Sequence, residues 1–294
     1  MPILLLGGSG LVGSRLHQLW SADAEVVAPT HAELDVLDPR ALEAFLRASP
    51  ANNVVNLAAW ADVDGAEPQS GNTDGVVHRL NVDFPANLAQ VCRTLGKHLV
   101  HVSTDYVFDG SNADRAYLED DPTRPLGWYA ETKRRGELAV LQADNRACIA
   151  RIEMPYTGAQ APKRDLARLV AGRLRQGQTV QGVTNQRITP VFLDDASAAL
   201  RKLAETRFSG LVHVASSTWT TPYDLVCGIA RRLDLTQDLV QPVEFAEFAA
   251  TRPAKRPQHS WLDVSRFATT FGGNILKPVE EGLDRWMSQW SSVS

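Results

Sequence analysis

The passage from Ile3-Leu4-Leu5-Leu6 through Gly7-Gly8-Ser9-Gly10-Leu11-Val12-Gly13 constrains this chain more than any other. Four consecutive apolar residues suit a strand buried on both faces. Val12, Leu16, Leu19 and Trp20 then recur at helical spacing. Gly7, Gly10 and Gly13 lie three apart between strand and helix, where missing side chains allow a tight turn and close backbone approach to a pyrophosphate. The helix N-terminus beyond the turn favours the negative charge of such a ligand. Strand, turn and helix together predict a dinucleotide site lined by Gly7, Ser9, Gly10, Leu11, Val12 and Gly13.

The alternation continues. Glu25–Ala28 reads as a second strand, and Asp38-Pro39 opens a helix with a carboxylate cap and proline at its first position. Val54–Ala58 follow as a third strand. A helix opening at Asp83 and Pro85 carries Leu88, Val91, Cys92 and Leu95, and Gly96 suits its left-handed cap. Leu99–Ser103 form a fourth strand, Tyr129–Leu141 a helix and Cys148–Ala150 a fifth strand. Strands alternating with helices, without hairpin signals, predict an α/β protein with a Rossmann-like, doubly wound parallel sheet. Beyond about residue 152, Pro155, Gly158, Pro162, Gly177, Gly182 and Pro190 interrupt the pattern, with helices near 165–175 and 222–233. Residues 1–152 are expected to form the dinucleotide-binding domain, with segments near 187–214 returning to it. Residues 153–186 and 215–294 are expected to build a smaller, discontinuous substrate lobe. The stretch from Trp286 to Ser294 reads as a fraying helix end.

Composition removes several function classes. The net charge of -4 argues against a nucleic-acid partner, which would call for a basic face. No apolar run approaches the ~18 residues of a membrane span, and the opening residues lack a basic head and long apolar stretch. A cytoplasmic protein is expected. Cys92, Cys148 and Cys227 lack redox or metal-ligand spacing and lie in apolar runs, so they read as buried small hydrophobes in a reducing compartment.

Two further motifs carry chemistry. Tyr129-Ala130-Glu131-Thr132-Lys133 places a phenol and an ammonium four residues apart on one helical face. An adjacent ammonium favours phenolate, so Lys133 is expected to lower the Tyr129 pKa and to hold ribose hydroxyls of the cofactor. Ser103-Thr104-Asp105-Tyr106-Val107-Phe108-Asp109-Gly110 leaves the carboxyl end of the fourth strand, where open α/β sheets bind ligands. Thr104 is placed to hydrogen-bond a substrate oxygen beside Tyr129. The second strand ends in Ala28-Pro29-Thr30-His31, with no acid before Glu33 and Asp35. That leaves room near Thr30 for a 2′-phosphate and favours NADPH, with NADH as second choice.

Together these residues resemble the extended short-chain dehydrogenase/reductase superfamily, and within it the dTDP-4-dehydrorhamnose reductase family. The similarity includes Leu34-Asp35-Val36, Val55-Asn56-Leu57-Ala58-Ala59, Val63-Asp64, Ala66-Glu67, Asn81-Val82, Ser103–Gly110, Tyr129–Lys133 and the late Arg256-Pro257, Ser260 and Leu262-Asp263. The resemblance implies Thr104, Tyr129 and Lys133 as the catalytic set. It implies Asp35, Val36, Ala58, Ala59, Trp60, Ala61 and Ser103 as further cofactor contacts, with Tyr129 and Lys133 shared. Thr104, Asp105, Met154 and Arg256 would face a nucleotide-sugar substrate, whose 4-keto group takes hydride while Tyr129 supplies the proton. The chain departs from the family at Arg151-Ile152-Glu153-Met154, where a tryptophan that lies against the sugar is lost, and at Gly65, where lysine is usual. Arg15 stands where some members carry a metal-linked glutamate, so no metal site is expected. A monomer or homodimer is expected. Two other readings stay open: a nucleotide-sugar dehydratase or epimerase, and a non-catalytic NADP-binding subunit like the regulatory subunit of methionine adenosyltransferase.

Overall fold

The computed structural model describes residues 2–291. The opening strand β1 (Ile3–Leu6) leads into α1 (Leu11–Trp20), then β2 (Val26–Val27), α2 (Pro39–Ala48) and β3 (Asn53–Asn56). Two short helices, α3 (Val63–Ala66) and α4 (Val76–His78), precede α5 (Phe84–Thr94), β4 (His98–Thr104), α6 (Trp128–Ala143) and β5 (Cys148–Ile152). The chain continues through α7 (Leu166–Arg175), β6 (Val180–Val183), α8 (Leu193–Glu205), β7 (Gly210–Val214), α9 (Pro222–Arg232), β8 (Val240–Val243) and α10 (Phe245–Ala250). It ends with α11 (Ser265–Phe271) and α12 (Val279–Ser291). The expected helix at Trp286 is therefore the last turns of α12, and residues 292–294 lie outside the described residues.

Six strands pair in parallel in the order β2-β1-β3-β4-β5-β7. This is the doubly wound sheet that the alternation predicts. The period of two along β1 divides its burial: Ile3 and Leu5 join the face packed by Leu16 and Trp20 of α1 and Leu200 and Leu203 of α8. Leu4 and Leu6 join the opposite face with Leu42 and Leu46 of α2 and Phe84 and Leu88 of α5. A second cluster gathers Val170, Leu174, Leu225, Ile229, Val240, Leu283 and Trp286 around the parallel pair β6–β8. The three cysteines are buried thiols. None of the described helices is long and apolar enough to cross a membrane.

Local signals act as their chemistry dictates, with one exception. Asp38 caps α2, accepting from the Arg40 and Ala41 amides at 2.9 and 3.3 Å. Gly96 takes φ +68° past α5. Asp83, however, caps nothing: it is itself helical, because α4 runs through a π turn (Arg79–Asp83) straight into α5. Pro85 has no N–H to return to Asn81, and the wider turn absorbs that loss. The turn also sends the Asn81 carbonyl towards α6, where a Cβ on Gly136 would lie 2.1 Å from it. Glycine is required there, and α6 is thereby drawn close to the loop that follows β3.

Candidate active site

The site opens at the carboxyl ends of β1, β3, β4 and β5. Gly7 has φ +84°, and a Cβ there would stand 2.6 Å from the Ala58 amide nitrogen. A Cβ on Gly13 would lie 2.2 Å from the Gly7 carbonyl oxygen, so only glycine lets α1 start this close to the turn. No side chain caps α1. Its first-turn amides are left to an anion, and the narrow cradle fits a pyrophosphate. The cradle forms one wall of a 390 Å³ cavity.

The loop after β3 forms another wall. Buried Asn81 pins it: its Oδ1 accepts from the Trp60 amide at 2.9 Å, and its Nδ2 donates to the Trp60 carbonyl and to Thr132 Oγ1 at 3.2 and 3.0 Å. Asn56 Oδ1 accepts from the Ala58 amide at 3.0 Å. Ala59 and Ala61 line the cavity, while Ala58 and Trp60 serve as the pinned backbone between and behind them.

At the cavity's centre, β4 delivers Ser103, Thr104 and Asp105, and α6 delivers Tyr129 and Lys133. Thr104 Oγ1 accepts from the Tyr106 amide at 3.3 Å, stands 2.9 Å from Asp105 Oδ1 and adjoins Tyr129 in the cavity lining. The Tyr106 ring packs edge-on against Tyr129 at 6.1 Å. Lys133 is buried, and its Nζ donates to the Val102 carbonyl at 2.7 Å. Burial pushes this ammonium down to about 8, opposed by the Glu137 carboxylate one turn on. The lysine does not acidify the phenol as the shared helical face suggested. Burial raises Tyr129 to about 12, opposed by the Thr104 hydroxyl. The bond to Val102 holds the ammonium at the sheet and leaves two of its N–H donors for a ligand.

Of the residues expected from sequence, Gly7, Gly10, Leu11, Val12, Gly13, Ala59, Ala61, Ser103, Thr104, Asp105, Tyr129, Lys133 and Met154 all line this one cavity. Ser9, Thr30, Asp35 and Val36 lie outside its lining. Asp35 instead stabilises its own turn, accepting from the Leu37 amide at 2.9 Å. At Thr30 an acid is in place after all: Glu33 Oε2 accepts from the Thr30 amide and hydroxyl at 2.8 and 2.9 Å. Arg256, expected to face the substrate, is 14% exposed and spans to α3, with Nη2 and Nη1 2.7 and 3.0 Å from Asp64. That pair straps the loop of residues 252–260 to the cofactor lobe, and Arg256 does not line the cavity.

Lys163, Gln186, Tyr106 and Ser260 line the cavity without having been singled out as site residues. Glu153, noted in the sequence only as a departure, sits just behind. Its Oε1 accepts from Ser260 Oγ at 2.6 Å, and its Oε2 from the Thr189 amide at 2.8 Å and from the Thr189 hydroxyl. No periodicity or short spacing joins residues 105, 153, 189 and 260. Residues 105 and 153 meet because β4 and β5 pair with Thr104 opposite Ile152, and residues 189 and 260 join them through their hydrogen bonds to Glu153.

The sequence model of the RmlD substrate binding domain family matches residues 1–291. The chain is 34% identical over 273 residues to a dTDP-4-dehydrorhamnose reductase of Mycobacterium tuberculosis, covering 90% of this chain and 86% of that one. It is 36% identical over 277 residues to a probable dTDP-4,6-dihydroxy-2-methyloxan-3-one 4-ketoreductase of Streptomyces antibioticus, covering 92% and 89%. The solved dTDP-4-dehydrorhamnose reductase of Bacillus anthracis, in complex with NADP, superposes with a TM-score of 0.88 at 23% identity, covering 98% of this chain and 99% of that one. With a glycine cradle, a Thr104–Tyr129 pair and a buried Lys133 around one cavity, and with this match over nearly its whole length, the chain belongs to the RmlD substrate binding domain family of dTDP-4-dehydrorhamnose reductase-like oxidoreductases.

Proposed function

We propose that this protein is an NADPH-dependent reductase of the 4-keto group of a nucleotide-linked sugar. The observation that carries this reading is the meeting of Thr104, Tyr129 and Lys133 in the same cavity as the Gly7–Gly13 cradle. The cradle and the α1 amides would hold the pyrophosphate, and Lys133 the ribose next to the nicotinamide. Bound nicotinamide supplies a hydride. Tyr129 donates its phenolic proton to the oxygen of the carbonyl being reduced, with the Thr104 hydroxyl beside it. Asp105, Met154, Gln186 and Lys163 bound the space left for the sugar and its phosphates. The curated relatives named above act on sugars of this class, and the reading takes its substrate from them. A cytoplasmic monomer or homodimer fits this role, and sedimentation would separate the two states.

The test is NADPH oxidation with a panel of 4-keto nucleotide sugars, dTDP-4-dehydrorhamnose first. Turnover that disappears in Tyr129→Phe is the expected result. Tight NADPH binding without turnover of any member of the panel would overturn the reading in favour of a binding subunit.

A further inference from the structure

Asp105 and Glu153, at the ends of neighbouring strands, are 4% and 1% exposed. No cation pairs with either carboxyl among the described residues. Ser260 donates to Glu153 Oε1 at 2.6 Å and lines the same cavity as Asp105. Two carboxylates buried at the ends of paired strands, with no cation beside them, cannot both ionise.

The surrounding donors decide which one. Glu153 receives the Thr189 amide at 2.8 Å, the Thr189 hydroxyl and the Ser260 hydroxyl. Thr189 Oγ1 accepts from the Leu262 amide at 2.9 Å, which aims its own proton at Glu153. Three donors on one carboxyl favour its charged form. Asp105 then keeps the proton. On the far side of Asp105, the Thr104 hydroxyl has one proton, which Asp105 Oδ1 at 2.9 Å can take or leave for the neighbouring Tyr129 in the same cavity lining. A neutral acid accepts a hydrogen bond about half as strongly as a carboxylate does.

We propose that Glu153 is a positioning residue for the reduction: its charge keeps Asp105 a neutral acid, which releases the Thr104 hydroxyl proton to the Tyr129 oxygen. That proton stabilises the phenolate left when Tyr129 gives its own proton to the substrate. This inference rests on Tyr129 being the proton donor, as in the function proposed above. The shifts agree with the geometry, since burial and the Glu153 charge hold Asp105 well above the carboxylate range. Burial raises Glu153 too, while Ser260 and Thr189 pull it back. The ionisable groups facing the pair are Tyr106, Tyr129 and Arg256, with Arg256 held by Asp64. His259 adjoins Ser260 and bridges to Arg187. The Lys133 ammonium is committed to Val102.

The test is carboxyl 13C NMR of aspartate-labelled protein, with Asp105 assigned by the resonance lost in Asp105→Asn. Asp105 is expected to be protonated at pH 7 in the parent and in Glu153→Asp. In Glu153→Gln its midpoint should fall by about two units or more. Glu153→Gln should also lower kcat about tenfold, the difference between a charge-assisted and a neutral hydrogen bond, with KM nearly unchanged. Glu153→Asp should recover most of that loss. An ionised Asp105 at pH 7 in the parent overturns the inference even if no Glu153 variant folds. So does an Asp105 midpoint or a kcat unmoved in Glu153→Gln. Failure of the parent to reduce any 4-keto nucleotide sugar would instead overturn the functional reading, and leaves the Asp105 titration to decide this one.

Discussion

The Glu33 carboxylate folds back onto Thr30, accepting both its amide and its hydroxyl proton through a single oxygen, Oε2, at 2.8 and 2.9 Å. These bonds hold its carboxyl below the usual glutamate range, so the group is charged at neutral pH. It stands at the end of β2, where the adenosine ribose of a bound dinucleotide comes to rest in this fold. A carboxylate there opposes a 2′-phosphate by like charge, so Glu33, which is exposed, has to turn away from Thr30 to admit NADPH.

Glu33→Gln is therefore expected to strengthen NADPH binding about fivefold relative to NADH, the scale of one unit-charge contact in a solvated setting. Fluorescence titration of both cofactors on parent and variant checks this. An unchanged ratio would show that the loop rearranges around the phosphate.

Tyr129→Phe is expected to lower kcat by ~10²–10⁴-fold, the usual contribution of a general acid. The dissociation constant of the cofactor should change less than about twofold, because the phenol's proton matters chiefly in the transition state. Retention of turnover would move the donor's role elsewhere in the cavity.

Lys133 gives a pH dependence. Its pKa is depressed to about 8 in the free protein, so the ammonium is present below that pH and lost above it. A cofactor that uses this ammonium must raise the pKa on binding. Its affinity is then greatest below pH 8 and falls as the pH rises through that value. In Lys133→Met, affinity should be weaker below pH 8 and the step should vanish. Calorimetric titration from pH 6 to about 9.5 follows both.

Beneath the site, Arg151 Nε and Nη2 reach Glu137 at 2.8 Å each, and the guanidinium stacks on the Phe108 ring at 5.1 Å. Both partners are fully buried. Glu137→Leu strands the arginine charge and is expected to cost about 3–5 kcal/mol in denaturant unfolding. Converting both residues to apolar ones of similar volume should cost far less.

What the sequence determined by itself was everything that works at short range. Three glycines at intervals of three, four apolar residues before them and helical spacing after them define the cradle without reference to the rest of the chain. Tyr129 and Lys133 come from one turn of one helix, and Thr104 and Asp105 from one strand end. The alternation of strands and helices then pointed to the parallel sheet, because parallel strands need a crossover of about a dozen residues or more and a helix supplies it. Tertiary structure decided the charges. Glu33 meets Thr30 because the chain doubles back after β2, turning a gap in the acid pattern into an occupied position. Arg256 is 192 residues from Asp64, and it became a strap once the fold set a carboxylate opposite it. Lys133 shares a helical face with Tyr129, yet its ammonium bonds the Val102 carbonyl on β4. Asp105 and Glu153 became a pair only through the register of β4 with β5. Spacing along a chain locates groups within one element, whereas the charge state of a buried group depends on every element packed against it.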